Sequence, residues 1–255
     1  MKRVGVFPTL VTAANGYCGI LAIYKTLDGE FYQAAGLIIL AMVFDVLDGK
    51  VARIAGTTSR FGAYLDSLSD AISFGAAPAV LAKATVEAGS PVHYNPKLLA
   101  LLTICFALFA IMRLARYNVE HATGEGSDRG GKGVSVFAGM PTPGAAGVVA
   151  GLVLLVHDPK APFDYSWVLA VLPVLCFVVG GLMITRVPYV HFSRLFLQGR
   201  RDFGYLFFLV VSVGLVVKFT EEAAAIGFVL YCLSGPVLAP FRKRWEPEPE
   251  EAEAP

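Results

Sequence analysis

Apolar residues run along this chain in long blocks, separated by short polar or glycine-containing breaks. Each block approaches the about 20 residues that a helix needs to cross a bilayer. Eight are visible, at about 9–27, 31–53, 64–86, 97–117, 139–157, 165–186, 203–219 and 222–241. The pattern predicts an all-α protein, a polytopic membrane helix bundle. The breaks Asp28-Gly29-Glu30 and Thr220-Glu221-Glu222 are short enough to make hairpins of their neighbours. Gly56-Thr57-Thr58-Ser59 reads as a turn between the second and third blocks, and Pro78 predicts a kink in the third. Gly36, midway in the second block, suggests close helix packing.

Composition agrees. The 255 residues are 56% hydrophobic and 16% charged, with a mean hydropathy of +0.62. A soluble domain is far less apolar. Met1-Lys2-Arg3 leads into the first block without a small-residue cleavage site, so no cleaved leader is expected. One transmembrane domain is expected over 1–241. A basic cluster and an acidic, proline-rich, disordered tail follow over 242–255. The net charge of +1 implies no nucleic-acid partner. Cys18, Cys105, Cys176 and Cys232 all lie in apolar blocks without paired spacing, and read as packing residues.

Charge sets the orientation. With the N-terminus inside, sixteen Lys and Arg residues fall on the inner side. Five fall on the outer side, namely Lys25, Lys83, Lys97, Lys160 and Lys218. Every arginine is then inside. Eight spans put both termini in the cytoplasm, for a protein of the cytoplasmic membrane. The 187–202 stretch, with His191, Arg194, Arg200 and Arg201 among apolar residues, reads as an interfacial segment against anionic lipid.

The candidate chemistry lies at residues 45–70. Asp45 and Asp48 are three apart, and Asp66 and Asp70 four apart, so each pair shares a helix face. The 54–61 turn joins them, at one depth near the cytoplasmic side. One aspartate at the centre of a membrane helix costs roughly 2.5–3.5 kcal/mol, and four uncompensated ones on the order of 10 kcal/mol. Lys50 and Arg53 offset two at most, so excess negative charge remains. Hard divalent cations, which take oxygen ligands, are the natural remedy. The competing readings are a structural ion-pair cluster and the ion path of a transporter. Against the transporter, the aspartates form no relay across the bilayer and no inverted repeat of broken helices is evident.

Other positions leave alternatives open. Asn15 in the first block either faces the aspartates or bonds a neighbouring helix. Ser73 shares the Asp66–Asp70 face, and Gly62 lets a backbone or phosphate approach. Arg113 and Arg116 either snorkel to headgroups or capture an anion in a bidentate fork. The glycine-rich stretch 119–138 reads as a linker, or else as a mobile cover. Gly144, Gly147 and Gly151 make a small-residue face that suits helix packing or a dimer.

The string D-x-x-D-G-x-x-A-R-x8-G-x3-D-x3-D resembles the signature of the CDP-alcohol phosphatidyltransferases. Asp45, Asp48, Gly49, Ala52, Arg53, Gly62, Asp66 and Asp70 fill its eight fixed positions. The resemblance implies a six-helix family core, here with two helices more. It implies two divalent cations, Mg2+ or Mn2+, on Asp45, Asp48, Asp66 and Asp70, with Asp70 as general base. Asn15, Asp48, Gly49, Ala52, Arg53 and Gly62 would bind CDP-diacylglycerol. Three further strings, Ser73–Pro78, Arg113–Asn118 and Phe137–Pro143, look like the branch of the family that uses L-serine as acceptor. That implies phosphatidylserine and CMP as products, with Arg113, Arg116 and Asn118 holding serine. Glycerol 3-phosphate or inositol phosphate is the alternative acceptor. The expected assembly is a homodimer in membrane lipid, its site facing the cytoplasm.

Overall fold

The computed structural model describes residues 6–54, 60–123, 136–159, 163–185, 187–190 and 221–238. Helices dominate, as the apolar blocks predict. Helix α1 spans Val6–Leu27 and α2 spans Phe31–Ile54. They form an antiparallel hairpin on the expected turn, where Gly29 takes a positive φ of 79° and Lys25 pairs with Glu30 at 2.7 Å.

The third block is one helical rod over residues 60–89, built in three pieces. These are α3 (Arg60–Asp70), a π-helical turn (Ala71–Ala76) and α4 (Ala77–Gly89). The kink expected at Pro78 takes the form of this wide turn. Pro78 has no N–H for the carbonyl of Phe74, and its ring would crowd that carbonyl in a regular helix. A turn with i→i+5 bonding absorbs the misfit.

Helix α5 runs Pro96–Thr123, longer than its block. Helices α6 (Thr142–His157) and α7 (Trp167–Ile184) follow, and α8 (Glu221–Leu238) ends the described part. The predicted span 203–219 lies outside the described residues. So do His191, Arg194, Arg200 and Arg201.

Two short strands modify the all-α expectation. β1 (Val136–Ala138) and β2 (Pro188–Val190) pair antiparallel, Phe137 opposite Tyr189. They draw on the stretches read as a linker and as an interfacial segment. Hydropathy carries no information about such a pair, because its strands lie about fifty residues apart in sequence.

Helix α6 is the centre of the bundle. Every residue from Ala145 to Leu154 is buried, against α2, α7, α8 and the 60–89 rod. Its glycine face meets α8 of the same chain. A Cβ on Gly147 would run into the Phe228 ring, one on Gly144 would stand 2.8 Å from Tyr231, and one on Gly151 would stand 3.2 Å from the Ala225 backbone. Packing within the chain therefore occupies the face that the sequence offered equally to a dimer. Gly36, by contrast, meets nothing within 4 Å among the described residues, so the close packing expected there is not made with any of them. Among the described residues, three helices are long and apolar enough to cross a membrane: Phe31–Gly49, Pro96–Val119 and Trp167–Ile184. Thr142–Val156 and Glu222–Val237 are shorter apolar helices.

Helix α1 lies close against the rod because two glycines allow it. A Cβ on Gly16 would stand 3.1 Å from the Ser69 hydroxyl, and one on Gly19 would stand 2.7 Å from the Ser73 Cα. Gly19→Ala should therefore push the backbones apart and lower stability by about 1–3 kcal/mol. Gly36→Ala should cost nothing, since alanine is the better helix former. Thermal unfolding of both variants in detergent checks the pair.

Candidate functional site

The last turns of α2 carry Asp45 and Asp48, and α3 carries Asp66 and Asp70. The fold brings one carboxylate oxygen from each of Asp45, Asp48 and Asp66 within 4.8 Å of one another. Asp48 is 5% exposed. It accepts hydrogen bonds from Thr12 of α1 and from the Gly49 backbone, and its carboxyl lies in hydrogen-bond reach of Asp66. Carboxylates this close repel unless a cation or a proton lies between them. Asp48 Oδ2 and Asp66 Oδ1 are buried and have no hydrogen-bond partner among the described residues. Converging hard oxygens with orphaned lone pairs fit a divalent cation better than a structural ion-pair cluster.

Asp70 stands apart from this trio. It is 8% exposed, and its Oδ1 accepts a 2.9 Å hydrogen bond from Asn15 Nδ2 of α1. Asn15 is fully buried, and its backbone carbonyl accepts from Ser73 Oγ at 2.9 Å. Both alternatives for Asn15 thus hold together, because it faces the aspartates and bonds the neighbouring rod. Ser73 keeps to the expected face but spends its hydroxyl on α1. Gly49 and Gly62 are in place on α2 and α3. Ala52 and Arg53 lie on the last turn of α2, with side chains outside the described residues, as is the side chain of Lys50.

The arginines on α5 divide. Arg113 is 9% exposed and does not snorkel outward; its Nη1 donates to Thr142 Oγ1 at 3.4 Å, at the start of α6. It interacts electrostatically with Asp70 and with Tyr231 of α8. Arg116 Nη1 donates to the carbonyl of Ile184 at 3.1 Å, a cation on the C-terminal end of α7. Asn118 Oδ1 accepts from Ser67 Oγ at 3.0 Å, next to Asp66 in the chain.

These bonds give the Phe137–Pro143 string a physical meaning. Gly139 adopts φ 91°, and a Cβ there would stand 2.5 Å from the carbonyl oxygen of Met183. Gly139 N–H donates to Val187 O at 2.9 Å and Met140 N–H to Leu182 O at 3.1 Å. The entry to α6 is thereby sewn onto the exit of α7, beside Arg113 and Arg116. Residues 113–118 and 137–143 form one junction.

Sequence reading missed Thr12, Ser67, Thr142 and Tyr231. Thr12 had a local signal, lying one helical turn before Asn15. Tyr231 had none, since its place beside Gly144 depends on how α8 packs.

The match to known proteins decides the family. The model of the CDP-alcohol phosphatidyltransferase family matches residues 5–180. This chain belongs to the CDP-alcohol phosphatidyltransferases. The matched stretch holds all four aspartates and ends within α7, before α8 begins. A Helicobacter pylori (strain ATCC 700392 / 26695) protein named CDP-diacylglycerol–serine O-phosphatidyltransferase is 30% identical over 233 residues, 90% of this chain and 89% of its own length. A Methanocaldococcus jannaschii protein of the same name is 30% identical over 236 residues, 92% and 94% of the two chains. One from Bacillus subtilis (strain 168) is 27% identical over 187 residues, 73% and 91%. Family membership and three long apolar helices make this phosphatidyltransferase an integral membrane protein.

Asp66→Asn should weaken Mn2+ binding by at least about tenfold, whereas Asp28→Asn on the α1–α2 turn should leave it unchanged. The free-Mn2+ signal in electron paramagnetic resonance titrations measures both.

Proposed function

We propose that this protein transfers the phosphatidyl group of CDP-diacylglycerol to the hydroxyl of L-serine, giving phosphatidylserine and CMP. The reading is carried by the Asp45–Asp48–Asp66 cluster with Asp70 beside it, in a chain whose relatives are named for that reaction. Two divalent cations, Mg2+ or Mn2+, held by Asp45, Asp48 and Asp66 with Asp70 adjacent, would neutralise the pyrophosphate and polarise the phosphorus under attack.

The chain's own residues do the rest. Asp70 takes the proton of the serine hydroxyl as its oxygen attacks the phosphorus bearing diacylglycerol. The new P–O bond makes phosphatidylserine, and the bond to the cytidylate oxygen breaks to release CMP. Arg53 offsets charge on the leaving group. Gly49, Ala52 and Gly62 let the nucleotide approach the helix backbones, with Asp48 at the inner end of that site. Arg113, already turned inward and in electrostatic reach of Asp70, receives the serine carboxylate. Arg116 and Asn118 shape the same side through their bonds to Ile184 and Ser67.

The site faces the cytoplasm of the cytoplasmic membrane, within eight spans whose termini are both inside; the one-sided distribution of arginines supports this. A homodimer completes the reading, joined through a face other than the α6 glycines, which α8 covers.

Purified protein with CDP-diacylglycerol and Mn2+ should release CMP and form phosphatidylserine when given serine. It should form no lipid product with glycerol 3-phosphate or inositol phosphate. A product with either phosphorylated acceptor alone overturns the choice of serine. Asp70→Asn should lower turnover at least about 100-fold while CDP-diacylglycerol still binds. Reporter fusions after residue 255 should show a cytoplasmic C-terminus.

A further inference from the structure

A carboxylate only accepts hydrogen bonds, so the partner that Asp70 meets on α1 must be a donor. That settles the orientation of the Asn15 amide. Its nitrogen donates to Asp70 Oδ1 at 2.9 Å, and its own oxygen points away. The oxygen is buried with no hydrogen-bond partner among the described residues. A fully buried amide that leaves half its hydrogen-bonding capacity unused is a poor choice for packing two helices. A leucine would fill the volume without that cost.

The surroundings hold the amide still. Ser73 Oγ donates to the Asn15 carbonyl at 2.9 Å. Gly16 and Gly19, one and four residues on, bring α1 against Ser69 and Ser73. The side chain therefore springs from backbone seated on the same rod that carries Asp70, and the donor cannot drift from the acceptor.

The geometry points to Asn15 as a positioning residue for Asp70, rather than a group that touches CDP-diacylglycerol. It occupies Asp70 Oδ1 and so turns the second oxygen toward the hydroxyl that is to lose its proton. The inference rests on the proposed phosphatidyl transfer with Asp70 as base. It makes a different kinetic demand from substrate binding. Removing a side chain that binds CDP-diacylglycerol raises KM for that substrate. A base left unaligned lowers kcat, while the carboxylate trio and the substrates bind as before.

Two variants test this against simple packing. Asn15→Leu keeps the branched shape, at a somewhat larger size, and removes the donor. Asn15→Ser leaves a small void but keeps a donor. Steady-state CMP release should show kcat for Asn15→Leu reduced about 10–100-fold. KM for both substrates should stay within about threefold and Mn2+ affinity should be unchanged. Asn15→Ser should retain several-fold more kcat than Asn15→Leu. Three results overturn the inference: Asn15→Leu with kcat near wild type; an effect confined to KM for CDP-diacylglycerol; or Asn15→Ser worse than Asn15→Leu, as packing alone would have it. Should wild-type protein release CMP with an acceptor other than serine, the serine reading fails. The kcat comparison, run with that acceptor, still decides the role of Asn15.

Discussion

Four carboxylates in a membrane helix bundle are the constraint from which the rest of this structure follows. Asp48 and Asp70 are buried and Asp45 and Asp66 half-buried, so each carboxylate needs a cation, a donor or another specific partner close by. The chain meets the demand in two ways. Asp45, Asp48 and Asp66 converge, with Thr12 and the Gly49 backbone as donors, to make a hard-oxygen site. Asp70 is separated from that trio and given an amide. The four carboxylates of one sequence motif thus have two kinds of surroundings, converging oxygens for three of them and an amide donor for the fourth.

The separation has a structural cause. The donors to Asp48 on α2 and Asp70 on α3, Thr12 and Asn15, sit one turn apart on α1, so α1 must lie close to both helices. Gly16 and Gly19 make the approach possible, and Ser69 and Ser73 are the small residues opposite. The π turn begins directly after Asp70 and buries Ser73, Phe74 and Gly75. Gly75 then meets α5, where its Cβ position lies 3.3 Å from the Ala110 methyl. The wide turn lets one rod present its aspartates and serines to α1 and its glycine to α5. A regular helix closed by Pro78 would strain to do both.

Much of this was legible in sequence because it is local. Membrane helices announce themselves by length and hydropathy, and the Asp28–Glu30 hairpin by its turn residues. The four aspartates stand out because their cost in an apolar chain demands a reason. The illegible part depends on partners far apart in sequence. Nothing near Arg116 reveals the Ile184 carbonyl, and nothing near Gly147 reveals Phe228. The same small-residue pattern that α8 covers would have suited a second copy, and only packing chooses between them. Gly36 carried a similar signal and meets nothing among the described residues. The β1–β2 pair escaped notice because three-residue strands are too short to leave a hydropathy trace.

The arrangement also separates the carboxylates from the arginines. The carboxylates and their donors belong to α1, α2 and α3, whereas the arginines belong to a junction of α5, α6 and α7 stitched by Gly139, Thr142 and Ile184. The two assemblies meet where Arg113 and Asp70 sense one another. Changes at the junction can therefore alter the surroundings of Arg113 without touching the converging oxygens of Asp45, Asp48 and Asp66. Tyr231 adds a third contribution, from α8, which lies beyond the stretch matched by the family model. Its ring fits beside Gly144 because the glycine has no side chain, and this brings the tyrosine into electrostatic reach of Arg113. Arg113 thus stands at the seam between the carboxylate helices and the rest of the bundle, and α8 borders that seam through Tyr231.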